Sequence, residues 1–237
     1  MYHYIKDKEF EQEMRSYCAN IINQLVQRIN NDDFLTVKAQ LIGSGARNLI
    51  TQNGTEPVDL DYNLCILGSK TWEMPSPEKI RTYIHKEFDI VLQKNGWGYC
   101  NDSKSALTTK KRPLPYSKNK TKFSIDLAII WNDRFGRWQR LIFDKSPQRL
   151  YYPFSLPQYK WNSCPSSADM EKKIDFLKKE NLWMKVRETY LAKKNMYLKR
   201  QDLDHPSFIV YIETINEIYN TYLYSKRRLI YDFRSLC

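Results

Sequence analysis

Apolar residues recur at three- and four-residue intervals from Phe10 through Met14, Ile21, Ile22, Leu25, Val26 and Ile29, which predicts an amphipathic helix over residues 7–30. The spacing then shortens to two. Val37, Ala39 and Leu41 alternate with polar neighbours and predict a strand over 36–42. Gly43-Ser44-Gly45 breaks that strand, and Ala46 to Ile50 could begin a helix. A second strand over 57–66 contains VDLDYNL, where Val58, Leu60, Tyr62 and Leu64 form the apolar side. Asp59, Asp61 and Asn63 form the other.

The helical period returns after Ser76-Pro77-Glu78, a start signal with serine at the cap and proline in the first turn. Ile80, Tyr83, Ile84, Phe88, Val91 and Leu92 continue that stripe until Gly96 ends it. Short strands are expected near 97–100 and 105–109. They precede KFSIDLAII, in which Phe123, Ile125, Leu127 and Ile129 face one way and Ser124, Asp126 and Ala128 the other. Arg137 to Phe143 is expected to pair with this strand after a turn at Asn132-Asp133. Residues 144–168 are rich in Pro, Ser and Tyr and read as a linker or crossover. Met170–Leu198 and Ser207–Tyr224 then read as helices.

The expected fold class is therefore α/β (α+β): a mixed β-sheet with flanking helices, followed by a C-terminal helical domain. The division falls at 1–150 for the sheet domain and 151–237 for linker plus helices. The N-terminal helix is expected to pack on the C-terminal pair.

The polar strand positions carry the chemistry. At about 3.3 Å rise per residue, the Asp59 and Asp61 Cα atoms lie about 6.6 Å apart on one face. Carboxylates that close repel unless a cation sits between them, and divalent ions with oxygen ligands are the usual answer. Asp126, flanked by Ile125 and Leu127, would weaken an ordinary core strand and needs a reason of its own. If the two strands are neighbours with aligned polar faces, three aspartates converge. Three carboxylates can hold two metals about 3.5–4 Å apart, the clamp used for in-line phosphoryl displacement. The Gly43-Ser44 turn supplies backbone N–H groups, a serine hydroxyl and the start of a helix, all suited to phosphate. Each piece alone has a bland reading as a turn or a solvent face. The ordered set is what points to function.

That set resembles the DNA polymerase β-like nucleotidyltransferase superfamily. Its signature is a hydrophobic residue, Gly-Ser, a spacer, Asp-hydrophobic-Asp/Glu, and a third acid on a later strand. Ile42-Gly43-Ser44, Asp59-Leu60-Asp61 and Asp126 match it in order, within roughly residues 35–131. Within the superfamily the chain looks most like the cyclic GMP-AMP synthase and oligoadenylate synthase branch with its bacterial relatives. Members of that branch often carry Gly-Ser-x-x-x-Gly-Thr. This chain has Asn48-Leu49 at the last two positions, and asparagine also adopts a left-handed backbone. Trp161-x-Ser163-x-Pro165 is a further point of likeness.

The resemblance implies transfer of a nucleoside monophosphate from a nucleoside triphosphate to an acceptor hydroxyl, with release of pyrophosphate. Two Mg2+ or Mn2+ ions would be held by Asp59, Asp61 and Asp126, and the triphosphate by Gly43, Ser44 and Asn48. A non-catalytic nucleic-acid-binding protein on the same scaffold is the competing class, and a protein or small molecule is an alternative acceptor.

Charge narrows the acceptor. The chain of 237 residues carries a net charge of +11, which favours polyanionic partners and makes a nucleotide or RNA the expected acceptor. Lys110, Lys111 and Arg112, then Lys118, Lys120 and Lys122, form a basic stretch leading into the Asp126 strand. A second basic run extends from Lys172 to Arg200.

Tyr151, Tyr152, Phe154, Tyr159 and Trp161 cluster in the linker, where aromatics more often cement domains than stack on bases. No apolar run reaches membrane-span length, and the N-terminus has no signal-peptide core. Five cysteines without Cys-x-x-Cys or a Cys/His cluster give no sign of zinc. The expected setting is a reducing cytoplasm with unpaired thiols, Cys18 and Cys65 serving as core residues.

Overall fold

The computed structural model describes residues 1–144, 159–164, 168–202 and 205–234. Two compact units emerge. Met1–Tyr4, with strand β1 (Tyr2–Tyr4), groups with Ser166–Cys237, and Ile5–Pro165 forms the other unit. The division thus falls at Pro165/Ser166 rather than at 150/151.

In the Ile5–Pro165 unit, helix α1 (Lys8–Asn31) opens on Asp7, whose side chain accepts from Phe10 N at 2.9 Å. Its buried stripe of Phe10, Met14, Cys18, Ile21, Ile22, Leu25 and Ile29 joins the core cluster of this unit's sheet. α1 rests on β2 (Leu35–Leu41) and on α3 (Pro77–Lys94). The turn helix α2 (Gly43–Ala46) and strand β3 (Thr51–Asn53) lie between β2 and the long β4 (Val58–Ser69). Helix α3 starts where expected, with Ser76 Oγ accepting from Lys79 N at 3.3 Å, and the chain leaves it through Gly96 at φ 74°.

Strands β5 (Asn101–Asp102) and β6 (Leu107–Thr108) form a short antiparallel pair. The sequence placed the first of them nearer 97–100. The central strand β7 (Phe123–Asn132), then β8 (Trp138–Phe143) and β9 (Tyr159–Ser163), complete the sheet. Its order is β2-β4-β7-β6-β5, with β8 pairing β7 and β9 pairing β8. The β4–β7 pair is parallel and the rest are antiparallel, so the sheet is mixed. β9 lies inside the segment expected to be linker. Tyr151, Tyr152 and Phe154 lie outside the described residues, whereas Tyr159 packs on Phe143 and Trp161 on Trp131, with centroids 4.9 and 5.6 Å apart. Those two rings cement the sheet edge.

The faces of this sheet differ because the pleat sorts alternate residues. Val58, Leu60, Tyr62 and Leu64 of β4 and Phe123, Ile125, Leu127 and Ile129 of β7 are buried in one cluster with the α1 and α3 stripes. The opposite face carries Asp59, Asp61 and Asn63 beside Ser124, Asp126 and Ala128.

In the other unit, α4 (Ala168–Lys179), α5 (Trp183–Lys199) and α6 (Ser207–Arg234) pack around Ile174, Leu177, Val186, Tyr190, Val210, Tyr211, Ile215 and Ile218. A single helix was expected over Met170–Leu198. Asn181 instead adopts φ 58° and breaks it into α4 and α5. β1 docks on α5 through a two-way bond: Tyr2 N donates to Asn195 Oδ1 at 2.7 Å, and Asn195 Nδ2 donates to Tyr2 O at 3.0 Å. Part of the basic run is consumed here. Lys193 pairs with Glu217 at 2.9 Å, and Lys194 is buried 3.8 Å from the Tyr2 ring centroid, where desolvation lowers its pKa to about 8. Among the described residues no helix is long and apolar enough to cross a membrane.

Candidate active site

Parallel register decides the geometry of the acids. Asp61 pairs with Asp126, and Asp59 pairs with Ser124, along β4 and β7. Adjacent strands lie about 4.8 Å apart, so the Asp61 and Asp126 Cα atoms are close enough for their carboxylates to share one ligand. Asp59 stands two residues before Asp61 on the same face, and its Oδ1 accepts a short bond from Ser124 Oγ. The three acids expected to converge do so.

Their electrostatics are those of a site short of positive charge. Burial, then the Asp126 and Asp59 charges, raise the Asp61 pKa to about 6 against a small lowering by Arg140. Burial and Asp59 also raise Asp126, while the Thr108 hydroxyl bond and Lys111 pull it back down. Asp126 Oδ1 is buried with no hydrogen-bond partner. A buried carboxylate oxygen without a donor is costly, and a cation is what relieves it. The residues present therefore fit divalent ions. Next on the same face, Asn63 Oδ1 is buried and unpartnered as well.

The turn abuts the acids. Gly43 has φ +63°, and a Cβ there would lie 3.2 Å from Asp61 Cγ and overlap Oδ2 outright. Only glycine fits. Ile42 N donates to Asp61 O at 2.9 Å, which ties the turn to β4. No helix begins at Ala46–Ile50: the single turn α2 ends at Ala46, Asn48 takes φ 55° and Leu49 N closes onto Ser44 O at 3.0 Å. Asn48 thus has the left-handed backbone expected of it, and its Oδ1 accepts from Arg15 Nη2 at 3.3 Å. Arg15 also donates to Gly45 O, and Arg47 Nη1 donates to Gly43 O at 3.1 Å. The bracing of the turn by α1 is a tertiary contact that no local pattern signals.

The basic loop divides in two. Lys110, Lys111 and Arg112 are all exposed. Lys111 acts on Asp126, whereas Arg112 pairs its backbone with Phe123, at 3.0 and 2.8 Å, and sends its guanidinium to Gly96 O. Leu114 is buried in the core cluster. This stretch is more structural than its polar composition suggests.

Arg140 is the residue that sequence reading missed. It pairs with Ile130, which puts it on the polar face, and its Nε is buried without a partner. Alternation in WQRLIF was the available signal.

Solved structures of similar shape include CdnC of E. coli MS115-1 with ATP, at 13% identity and a TM-score of 0.55, covering 92% of this chain and 62% of CdnC. A second is the CdnC:HORMA-deltaN complex of E. coli MS115-1, at 12% identity and a TM-score of 0.55, covering 90% and 60%. The fold is the nucleotidyltransferase fold. The chain spans about three fifths of the length of CdnC. No protein-family model and no curated protein matches its sequence.

Proposed function

We propose that the chain is a metal-dependent nucleotidyltransferase that moves a nucleoside monophosphate from a nucleoside triphosphate to an acceptor hydroxyl. The observation that carries this reading is the Asp61–Asp126 rung beside Asp59, closed on one side by a glycine that leaves no room for any other residue. Asp59, Asp61 and Asp126 would hold two Mg2+ or Mn2+ ions, which would supply charge neutralisation for the triphosphate and the leaving pyrophosphate. Gly43 and Ser44 offer N–H groups and a hydroxyl to the phosphates. Asp126, with its unpartnered Oδ1, orients the acceptor hydroxyl and takes its proton. Arg140 sets positive charge near Asp61 on the substrate-facing side. Positioning and charge account for the rate in such chemistry, and no covalent protein nucleophile is required.

ATP bound to CdnC supports ATP as a donor to test first. The surplus of positive charge supports a nucleotide or RNA as acceptor. The test is incubation with each nucleoside triphosphate, labelled at the α-phosphate, with Mg2+ or Mn2+, alone and with RNA. Label is expected in an oligonucleotide, a cyclic dinucleotide or RNA, and not in an Asp61→Asn preparation. Label retained wholly in triphosphate under every condition would leave a binding protein on this scaffold.

A further inference from the structure

We propose that His85, Asp89 and Cys100 form a zinc site that clamps the C-terminal half of α3 to the segment following it. The site is independent of the three aspartates. His85 and Asp89 are four residues apart on α3 and so share a helix face. The chain then turns back through Gly96 and Gly98, both at positive φ, and brings Cys100 against them.

One ligand atom from each residue, an imidazole nitrogen, a carboxylate oxygen and Cys100 Sγ, lies within 4.8 Å of the other two. Zinc binds nitrogen and oxygen at about 2.0–2.2 Å and sulfur at about 2.3 Å, so tetrahedral ligand edges run from about 3.3 to 3.7 Å. His85 Nε2 and Asp89 Oδ2 are 3.5 Å apart, already one such edge. Rotamer adjustments of up to about 1.5 Å would close the remainder.

The surroundings suit an ion. Asp89 is oriented by the Cys100 amide, which donates to its Oδ1 at 2.7 Å, as an outer-shell partner orients a ligand. The Cys100 thiol also bonds the Asp89 carboxylate, and burial with that carboxylate pushes the thiol well up, Arg81 offsetting little, so an arriving ion would have to displace its proton. Arg81 itself is fixed by Asp102, Ser103 O at 3.2 Å and Ala106 O at 2.8 Å. Thiolate and carboxylate together balance a divalent charge around a neutral imidazole. Cys100 is 6% exposed and the His85 side chain 30%, so the fourth position opens toward solvent on the histidine side. A thiolate with an imidazole selects zinc over magnesium or calcium. Sequence spacing hid the site, because a helical pair and a cysteine eleven residues on match no zinc motif.

Titration of the metal-free chain with Co2+ and then Zn2+ tests this. One Co2+ per chain is expected to produce a near-ultraviolet thiolate-to-cobalt charge-transfer band, displaced by Zn2+. Cys100→Ser should abolish the band. His85→Ala and Asp89→Asn should each weaken binding by roughly tenfold or more. Asp61→Asn, and a Cys164→Ser/Cys237→Ser double variant, should keep the band. Zn2+ should also raise the melting temperature of the wild type and not of Cys100→Ser. Absence of the band at saturating Co2+, or its survival in a folded Cys100→Ser protein, would leave only an ion pair beside a buried thiol and overturn the proposal. Should Cys100→Ser fail to fold, loss of Co2+ binding on prior alkylation of the accessible cysteines other than Cys100, with Cys100 still free, overturns it equally.

Discussion

Asp61 and Asp126 stand abreast on one rung of the parallel β4–β7 pair, and burial keeps both carboxyls reluctant to ionise, with Asp126 and Asp59 adding to it at Asp61 and Asp59 at Asp126. The folded protein accepts this strain at the place where a cation would remove it.

Asp59→Asn, Asp61→Asn and Asp126→Asn are each expected to reduce nucleotidyl transfer by at least about a thousandfold, comparable to or beyond the loss of one electrostatic catalytic donor. Stability should move the other way for Asp61. Its folded pKa of about 6 lies above the ordinary 3.8, so the stability it lends is full at low pH and is lost as pH rises through 6. Above that point Asp61→Asn should be more stable than wild type by on the order of 1–2 kcal/mol. Melting curves at pH 5 and pH 8 check this. An equal effect at both values would remove the charge argument.

At sub-saturating metal, activity should climb as protons cease to compete for Asp61, rising through about pH 6 and then levelling. Arg140→Gln removes a positive neighbour and should move that rise to higher pH without unfolding the chain. A rate–pH profile for the two proteins is the measurement. Superimposable profiles would put Arg140 outside the site.

Gly43→Ala should fail on two counts. A left-handed backbone costs a non-glycine residue about 1–2 kcal/mol, and the new methyl overlaps the Asp61 carboxylate. Activity is expected to fall at least tenfold with the melting temperature lowered by several degrees. Gly54→Ala, also at positive φ but with open space around it, isolates the backbone cost from the collision.

Lys111→Gln and Arg112→Gln should separate. The first should weaken triphosphate or RNA binding, flatten its salt dependence and leave melting unchanged. The second should destabilise by roughly 1 kcal/mol, since it releases the bond to Gly96 O. Binding and melting assays on both variants suffice, and identical behaviour would merge the two roles.

Much of this was legible in the chain because two-residue alternation is a strong signal. Val58–Leu64 and Phe123–Ile129 announced both strands and the face on which the acids stand. Ser76 and Gly96 marked the ends of α3. What alternation lacks is partner identity. The parallel pairing that sets Asp61 opposite Asp126 is tertiary, as are the bracing of the turn by Arg15 and the meeting of His85 with Cys100. The break at Asn181 escaped notice because the apolar period runs on through it, and only the left-handed φ betrays the stop. β9 was missed because Tyr159–Ser163 is short and sits in Pro- and Ser-rich surroundings.

Arg15 gives the Gly43–Leu49 turn an unusual ancestry. Its guanidinium reaches from a helix of 24 residues to Gly45 O and Asn48 Oδ1, while Glu11 holds it from behind at 2.9 Å. A bend hung between two strands, the one proposed to face the phosphates, is thereby moored to α1. Its freedom is given up when the protein folds, not when a nucleotide arrives, so binding there should carry little ordering entropy.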